Sequence, residues 1–268
     1  MRYAASPIAE VFNASMADIA ELLVSTAPGG RLLRGDGACA MVTGIPAPAL
    51  NGVWTERADP DVAGVAALID EVSGAGPLYS LRLRSGSDET VTGLASDRGM
   101  VLAEELTLMT LEAEDSIIVL PEPAGLAIRQ IAPEEAPAAA TVGAAGFEVP
   151  EDVFLRAVSP DLLRLASVRC YVGEVAGEAM TTSLSVTVGV FTGIFCVATV
   201  PGWRGRGFGT AITARAITDA LAAGSRWCWL EATAAGLTAY RTVGFQAIEP
   251  RQLWVGMSTE VKEINGAE

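Results

Sequence analysis

Histidine is absent from all 268 residues, and lysine occurs once, as Lys262. The first absence removes the side chain that titrates nearest neutral pH, and with it any zinc site built on imidazole. It also removes the usual partner of a nucleophilic cysteine. The second absence leaves arginine to carry nearly all the positive charge, in a chain whose net charge is -14. Nucleic acid and anionic membranes demand clustered Lys and Arg, so neither is expected as a partner. The four cysteines, Cys39, Cys170, Cys196 and Cys228, form no C-x-x-C pair. They are expected to be buried, reduced thiols of a cytoplasmic protein, and no metal is expected. The start, "MRYAASPIAEVFNAS", lacks the apolar core of a signal peptide. One run, Ala179–Trp203, carries no charge over a membrane-spanning length. Its Thr and Ser content, the break at "VGVFTG" and the closing Pro-Gly read instead as two buried strands joined by a tight turn.

Half of the residues are hydrophobic, enough for a sizeable core. The length suits two domains of about 120 to 150 residues. Prolines and a glycine within 120–126 mark the expected linker, which divides the chain into 1–122 and 123–268. The second half reads as a strand at 126–131, helices at about 134–145 and 151–166, and the strand "VRCYVGEV". Two more strands follow within 180–200, then a glycine-rich turn, a helix to about Ala223 and the strand "RWCWLEAT". A short helix "AGLTAYRTV" stops at Gly244, and "FQAI" and "RQLWVGM" are expected to pair with each other. The first half repeats this order loosely: a helix at about 17–25, strands at 39–44 and 50–54, helix 61–72, strand "LYSLRLR", a short helical piece and strand "LTLMTL". Gly93–Met109 can be laid on Gly236–Val255 with a two-residue gap, matching Gly99-Met100 to Gly244-Phe245 and Glu104 to Glu249. The shared order and this match point to an internal duplication.

The chemistry concentrates in "VATVPGWRGRGFGT", Val197–Thr210. A β-branched strand runs into a glycine-rich turn and then a helix. The first N–H groups of that helix lack internal acceptors and the helix dipole is positive there, so the arrangement suits an anion. Gly205, Gly207 and Gly209 let the backbone approach a ligand, Arg204 and Arg206 add charge-assisted donors, and Thr210 adds a hydroxyl. No Gly-Lys-Ser/Thr is present, and G-x-G-x-x-G fails because position 210 is Thr.

R-x-x-G-x-G at Arg204–Gly209, with Pro201 ahead of it and an Ala-rich helix behind, resembles the pyrophosphate loop of the GNAT superfamily of N-acetyltransferases. "AYRTVGF" at Ala239–Phe245 resembles the same family's Tyr-x-x-x-Gly-Phe segment. The resemblance covers about residues 126–260. It implies an α/β (α+β) chain of two tandem domains, each a mixed, mostly antiparallel sheet flanked by helices. It further implies acetyl transfer from acetyl-CoA to a primary amine of a small molecule or peptide. Val197, Ala198 and Thr199 would face the pantetheine arm, and Tyr240 would donate a proton to the leaving thiolate. The family's strand carboxylate is missing from Phe195–Thr199, which leaves Glu231 and Glu174 as the nearest candidate bases. The first half has no such loop: "ERADPDVAG" puts acid where it would stand, and "GLASDRGM" offers no Tyr. The tandem plan with one degenerate half resembles mycothiol synthase and related tandem acetyltransferases. The chain is expected to be a monomer or a homodimer, and a non-catalytic acyl-CoA sensor or assembly protein is the alternative function.

Overall fold

The computed structural model describes residues 7–84, 86–87, 89–114 and 122–258. The chain divides into two compact units, Met1–Leu108 with Ile248–Glu268, and Met109–Ala247. This division differs from 1–122 and 123–268, and residues 120 and 121 of the expected linker lie outside the described residues. The difference has a simple origin, because the first half of the chain sends the end of its last strand, and the second half nearly all of its last strand, into the other unit.

The first half forms α1 (Pro7–Ser25), β1 (Arg31–Gly35), β2 (Ala38–Val42), β3 (Asn51–Thr55), α2 (Val62–Ser73), β4 (Leu78–Arg84), α3 (Glu89–Asp97) and β5 (Val101–Glu112). In the first unit β1, β2 and β3 are antiparallel neighbours, and β3 runs parallel to β4. Strand alternation assigns the faces. Ala38, Ala40 and Val42 pack with Val65, Leu68, Ile69 and Val72 of α2, whereas Cys39 and Met41 pack with Ala17, Ala20 and Val24 of α1. β1 is absent from the sequence reading because it is an exposed edge strand with Arg at positions 31 and 34, so it shows no apolar alternation. α1 begins earlier than expected, where Ala9 and Phe12 are already buried.

The second half forms β6 (Leu126–Gln130), α4 (Ala136–Phe147), α5 (Glu151–Ala157), α6 (Pro160–Leu163), β7 (Val168–Val175), β8 (Glu178–Val188), β9 (Phe191–Thr199), α7 (Phe208–Ala222), β10 (Trp227–Ala232), α8 (Leu237–Val243) and β11 (Gln246–Met257). In the second unit the order is β10-β9-β8-β7-β6. The charge-free run is the antiparallel hairpin β8–β9, turning at Gly189 with φ 56°. Among the described residues no helix is long and apolar enough to cross a membrane. The helix expected over 151–166 is two short helices. Pro160 has no N–H with which to continue α5, and Ser159 caps α6 by accepting from Leu162 N at 3.3 Å.

"FQAI" and "RQLWVGM" do not pair with each other. They are one strand, β11, and residues 251–257 run antiparallel to β4 from Arg251↔Arg84 to Met257↔Leu78. β5 in turn borders β10, with Met109 and Leu111 buried in the second unit's core and Ala113 N bonded to Arg226 O at 2.8 Å.

Candidate functional site

In the second unit β9 and β10 run parallel for three register positions, Phe191↔Trp227, Thr192↔Cys228 and Gly193↔Trp229. No β9–β10 pairing follows Trp229, so the strands part beyond it. Beside the split, β9 is distorted. Its pairing with β8 shifts between Leu184↔Phe195 and Thr182↔Ala198, so Cys196 and Val197 stand opposite the single residue Ser183. Cys196 carries the irregularity with φ 54°, a conformation that L residues adopt at a cost. A bulge takes backbone groups out of the ladder and aims them elsewhere. Nothing in the sequence marks it, because cysteine has no preference for positive φ.

The faces of this split are distinct. Cys228, Leu230 and Ala232 pack into one core with Ile212, Ala216 and Ile217 of α7, and Val197 and Tyr240 pack against that core. Alternation therefore puts Trp229 and Glu231 on the opposite face, where Trp229 meets Phe195 edge-on at 5.4 Å. α4 covers part of that face. Its Gly146 approaches so closely that a Cβ there would lie 2.7 Å from Ala198 Cβ.

At the end of β9 the chain turns through Pro201–Trp203 into the glycine loop. Gly205 has φ 76° and Gly207 has φ 81°, so both need glycine for conformation rather than for space. Gly207 is the N-cap of α7 and supplies no side-chain acceptor. The first intrahelical bond is Ala211 N to Gly207 O at 2.9 Å. The N–H groups of Phe208, Gly209 and Thr210 precede it and are the ones a bound anion would engage. Gly209 lies under Val197 Cγ1 and Thr199 Oγ1, and Thr210 is half-buried in the first turn. The exposed Arg206 guanidinium stacks on Trp203, 4.3 Å from its centroid, and Trp203 stacks on Phe208 at 5.6 Å.

Arg204 is placed differently from the expected phosphate donor. Its Nε donates to Thr199 O at 3.2 Å and its Nη2 to Gly146 O at 2.7 Å. The guanidinium thus ties the loop to the last strand residue and to the C-terminal end of α4.

Tyr240 sits on α8, half-buried, with its ring over Gly236 and edge-on to Phe245 at 6.2 Å. Burial pushes its phenol up to about 12. Cys196 and Cys228 are pushed up to about 12 by burial as well, which excludes a resting thiolate near the split. The two carboxylates separate. Glu174 lies on β7, two strands from β9, and Arg129 binds it at 2.7 and 3.1 Å. Arg129 also bonds Glu135 at 2.8 Å, so Glu174 belongs to a structural ion cluster and is not brought to the split. Glu231 is on β10 beside the split, two residues past Trp229. Among the described residues no cluster of metal-ligating side chains occurs.

No protein-family model and no curated protein matches the sequence. Solved structures do match. A GCN5-related N-acetyltransferase from Kribbella flavida superposes with a TM-score of 0.69 at 18% identity, covering 94% of this chain and 98% of that one. A functionally unknown conserved protein from Staphylococcus epidermidis gives 0.63 at 12% identity, covering 85% and 94%. A tandem GNAT protein from the clavulanic acid biosynthesis pathway gives 0.52 at 13% identity, covering 91% and 94%. The chain shares the fold of these proteins.

Proposed function

We propose that the second unit transfers an acetyl group from acetyl-CoA to an amine. The observation that carries this reading is the alignment of three features along one split. They are an uncapped helix preceded by two left-handed glycines, a bulged strand leading to it, and a half-buried tyrosine on the same face. Pyrophosphate would sit on the N–H groups of Phe208, Gly209 and Thr210, with Arg206 beside it. The pantetheine arm would run along Val197–Thr199, adding to the strand where β10 has parted from it. Amides released by the bulge would steady the developing oxyanion.

Tyr240 is the group for the sulfur. A free thiol has a pKa of about 8.5, and a phenol held at about 12 is the weaker acid. Tyr240 therefore donates a hydrogen bond to the sulfur as charge develops, rather than surrendering its proton. The amine attacks the carbonyl carbon, the C–S bond breaks, the nitrogen loses its proton to a base, and the departing thiolate is protonated from solvent. With the thioester attended by Tyr240 on the α7 face, the amine arrives from the other face. Glu231 is on that side of β10, and in this reading it takes the amine's proton, directly or through water.

The test is thiol release from acetyl-CoA with a panel of polyamines, amino sugars, amino acids and peptides, alongside coenzyme A calorimetry. Amine-dependent release is expected. Tight binding with no release on any amine would favour a non-catalytic acyl-CoA sensor.

A further inference from the structure

We infer that Arg204 is a positioning residue that couples the cofactor loop to the acceptor-side end of α4. This rests on the acetyl-CoA reading above and assigns a role that the glycine-loop pattern does not. Gly146 is one of the last four residues of α4, whose carbonyls have no intrahelical partner. Arg204 Nη2 satisfies that carbonyl at 2.7 Å, while its Nε holds Thr199 O at 3.2 Å. A guanidinium has five N–H donors in a fixed fork, and these two bonds use two of them. The other three remain for an anion on the loop. One planar group can thus hold the strand end, the helix end and a pyrophosphate together.

The helix end is where the coupling matters. Gly146 is packed onto Ala198, as the clash a Cβ would make there shows. Immediately after it the chain reverses through Glu148, which has φ 58° and ψ 43°. The N–H groups of Glu148 and Val149 both bond back to Ala144 O, the latter at 3.1 Å. Gly146 flanks β9 on the face from which, in the reading above, the amine approaches. An anion that fixes Arg204 therefore fixes this segment, and the acceptor meets a wall that the donor has set.

Amide hydrogen exchange of the full chain, with and without coenzyme A, tests the coupling. In the wild type, coenzyme A is expected to slow exchange at Glu148 and Val149 by on the order of ten-fold. Arg204→Lys keeps a positive charge but cannot bridge two carbonyls and an anion. With the guanidinium contact to the pyrophosphate lost, it is expected to bind coenzyme A roughly ten-fold more weakly by calorimetry and, at saturating coenzyme A, to lack the added protection. At saturating coenzyme A its amine KM is expected to rise roughly ten-fold. Coenzyme A binding without added protection in the wild type would overturn the coupling and leave the cofactor reading intact. So would full protection in Arg204→Lys. Failure of the wild type to bind coenzyme A would instead remove the cofactor reading, and the coupling with it.

Discussion

The two units contain the same split, bridged by a buried ion network in one and flanked by a strand bulge in the other. In the first unit β3 and β4 run parallel for three positions, Gly52↔Ser80, Val53↔Leu81 and Trp54↔Arg82, then part as β9 and β10 do. There Arg84 crosses the gap. Its N–H bonds Thr55 Oγ1 at 3.1 Å, its Nη1 bonds Glu56 O at 2.7 Å, and its fork grips Glu249 at 2.9 and 3.0 Å. Glu249 also receives Arg251, which in turn bonds Asn13 Oδ1 at 2.7 Å. Arg84, Glu249 and Arg251 are each no more than 5% exposed. The second unit has a bulge at Cys196 where the first has this guanidinium bridge.

The helix that follows each split differs in the same sense. Asp61 caps α2, its carboxylate accepting from Gly64 N at 2.7 Å, so an acid sits where an anion would have to bind. Gly207 leaves α7 uncapped. The third difference is at the short helix. Met100 N bonds Ala95 O, and Phe245 N bonds Tyr240 O, so the two helix stops use the same bond and Ala95 stands at the position of Tyr240. One construction thus occurs twice, once with a guanidinium across the split and an acid on the following helix, and once with neither of these.

The sharpest way to break the scaffold is Glu249→Ala. It leaves Arg84 buried without its carboxylate, and a loss of about 3–5 kcal/mol is expected in urea unfolding. A loss under about 1 kcal/mol would mean that the bridge does not hold the first unit together. Next is Tyr240→Phe, which removes the hydrogen bond to sulfur and keeps the ring packing. Turnover is expected to fall on the order of 100-fold, with coenzyme A affinity unchanged. Because the phenol is raised to about 12, it stays protonated through the working range. No alkaline fall in wild-type kcat from this group is expected between about pH 7 and about pH 10. The smallest effect is expected for Asp61→Ala, about 1 kcal/mol of stability from the lost cap, read by thermal melting. It is not expected to create cofactor binding in the first unit, because Arg84 still fills the split.

Local features carried most of what the sequence disclosed. Gly99 and Gly244 are legible as helix stops because each needs positive φ, 63° and 115°. That pair also disclosed the duplication. The glycine loop is legible because strand, glycine and helix follow each other without interruption. Three things were not. β11 pairs with β4, far away in the chain, and no local pattern encodes such a partner. The bulge falls on a cysteine, which signals nothing. Arg204 reads as a phosphate ligand from its spacing, whereas its two carbonyl bonds depend on where α4 ends. Glu174 and Glu231 looked equivalent in sequence; the position of β7, two strands from β9, and the grip of Arg129 separate them.

The second unit is expected to hold the cofactor and the first is not. Calorimetric titration of coenzyme A into the wild-type chain and into Gly207→Glu measures this directly, with circular dichroism confirming that the variant is folded. The substitution places a carboxylate at the N-terminus of α7, on a residue whose φ is 81°. One site per chain in the wild type and none in the variant is the predicted result. Two sites per chain, or a site that survives in Gly207→Glu, would contradict it.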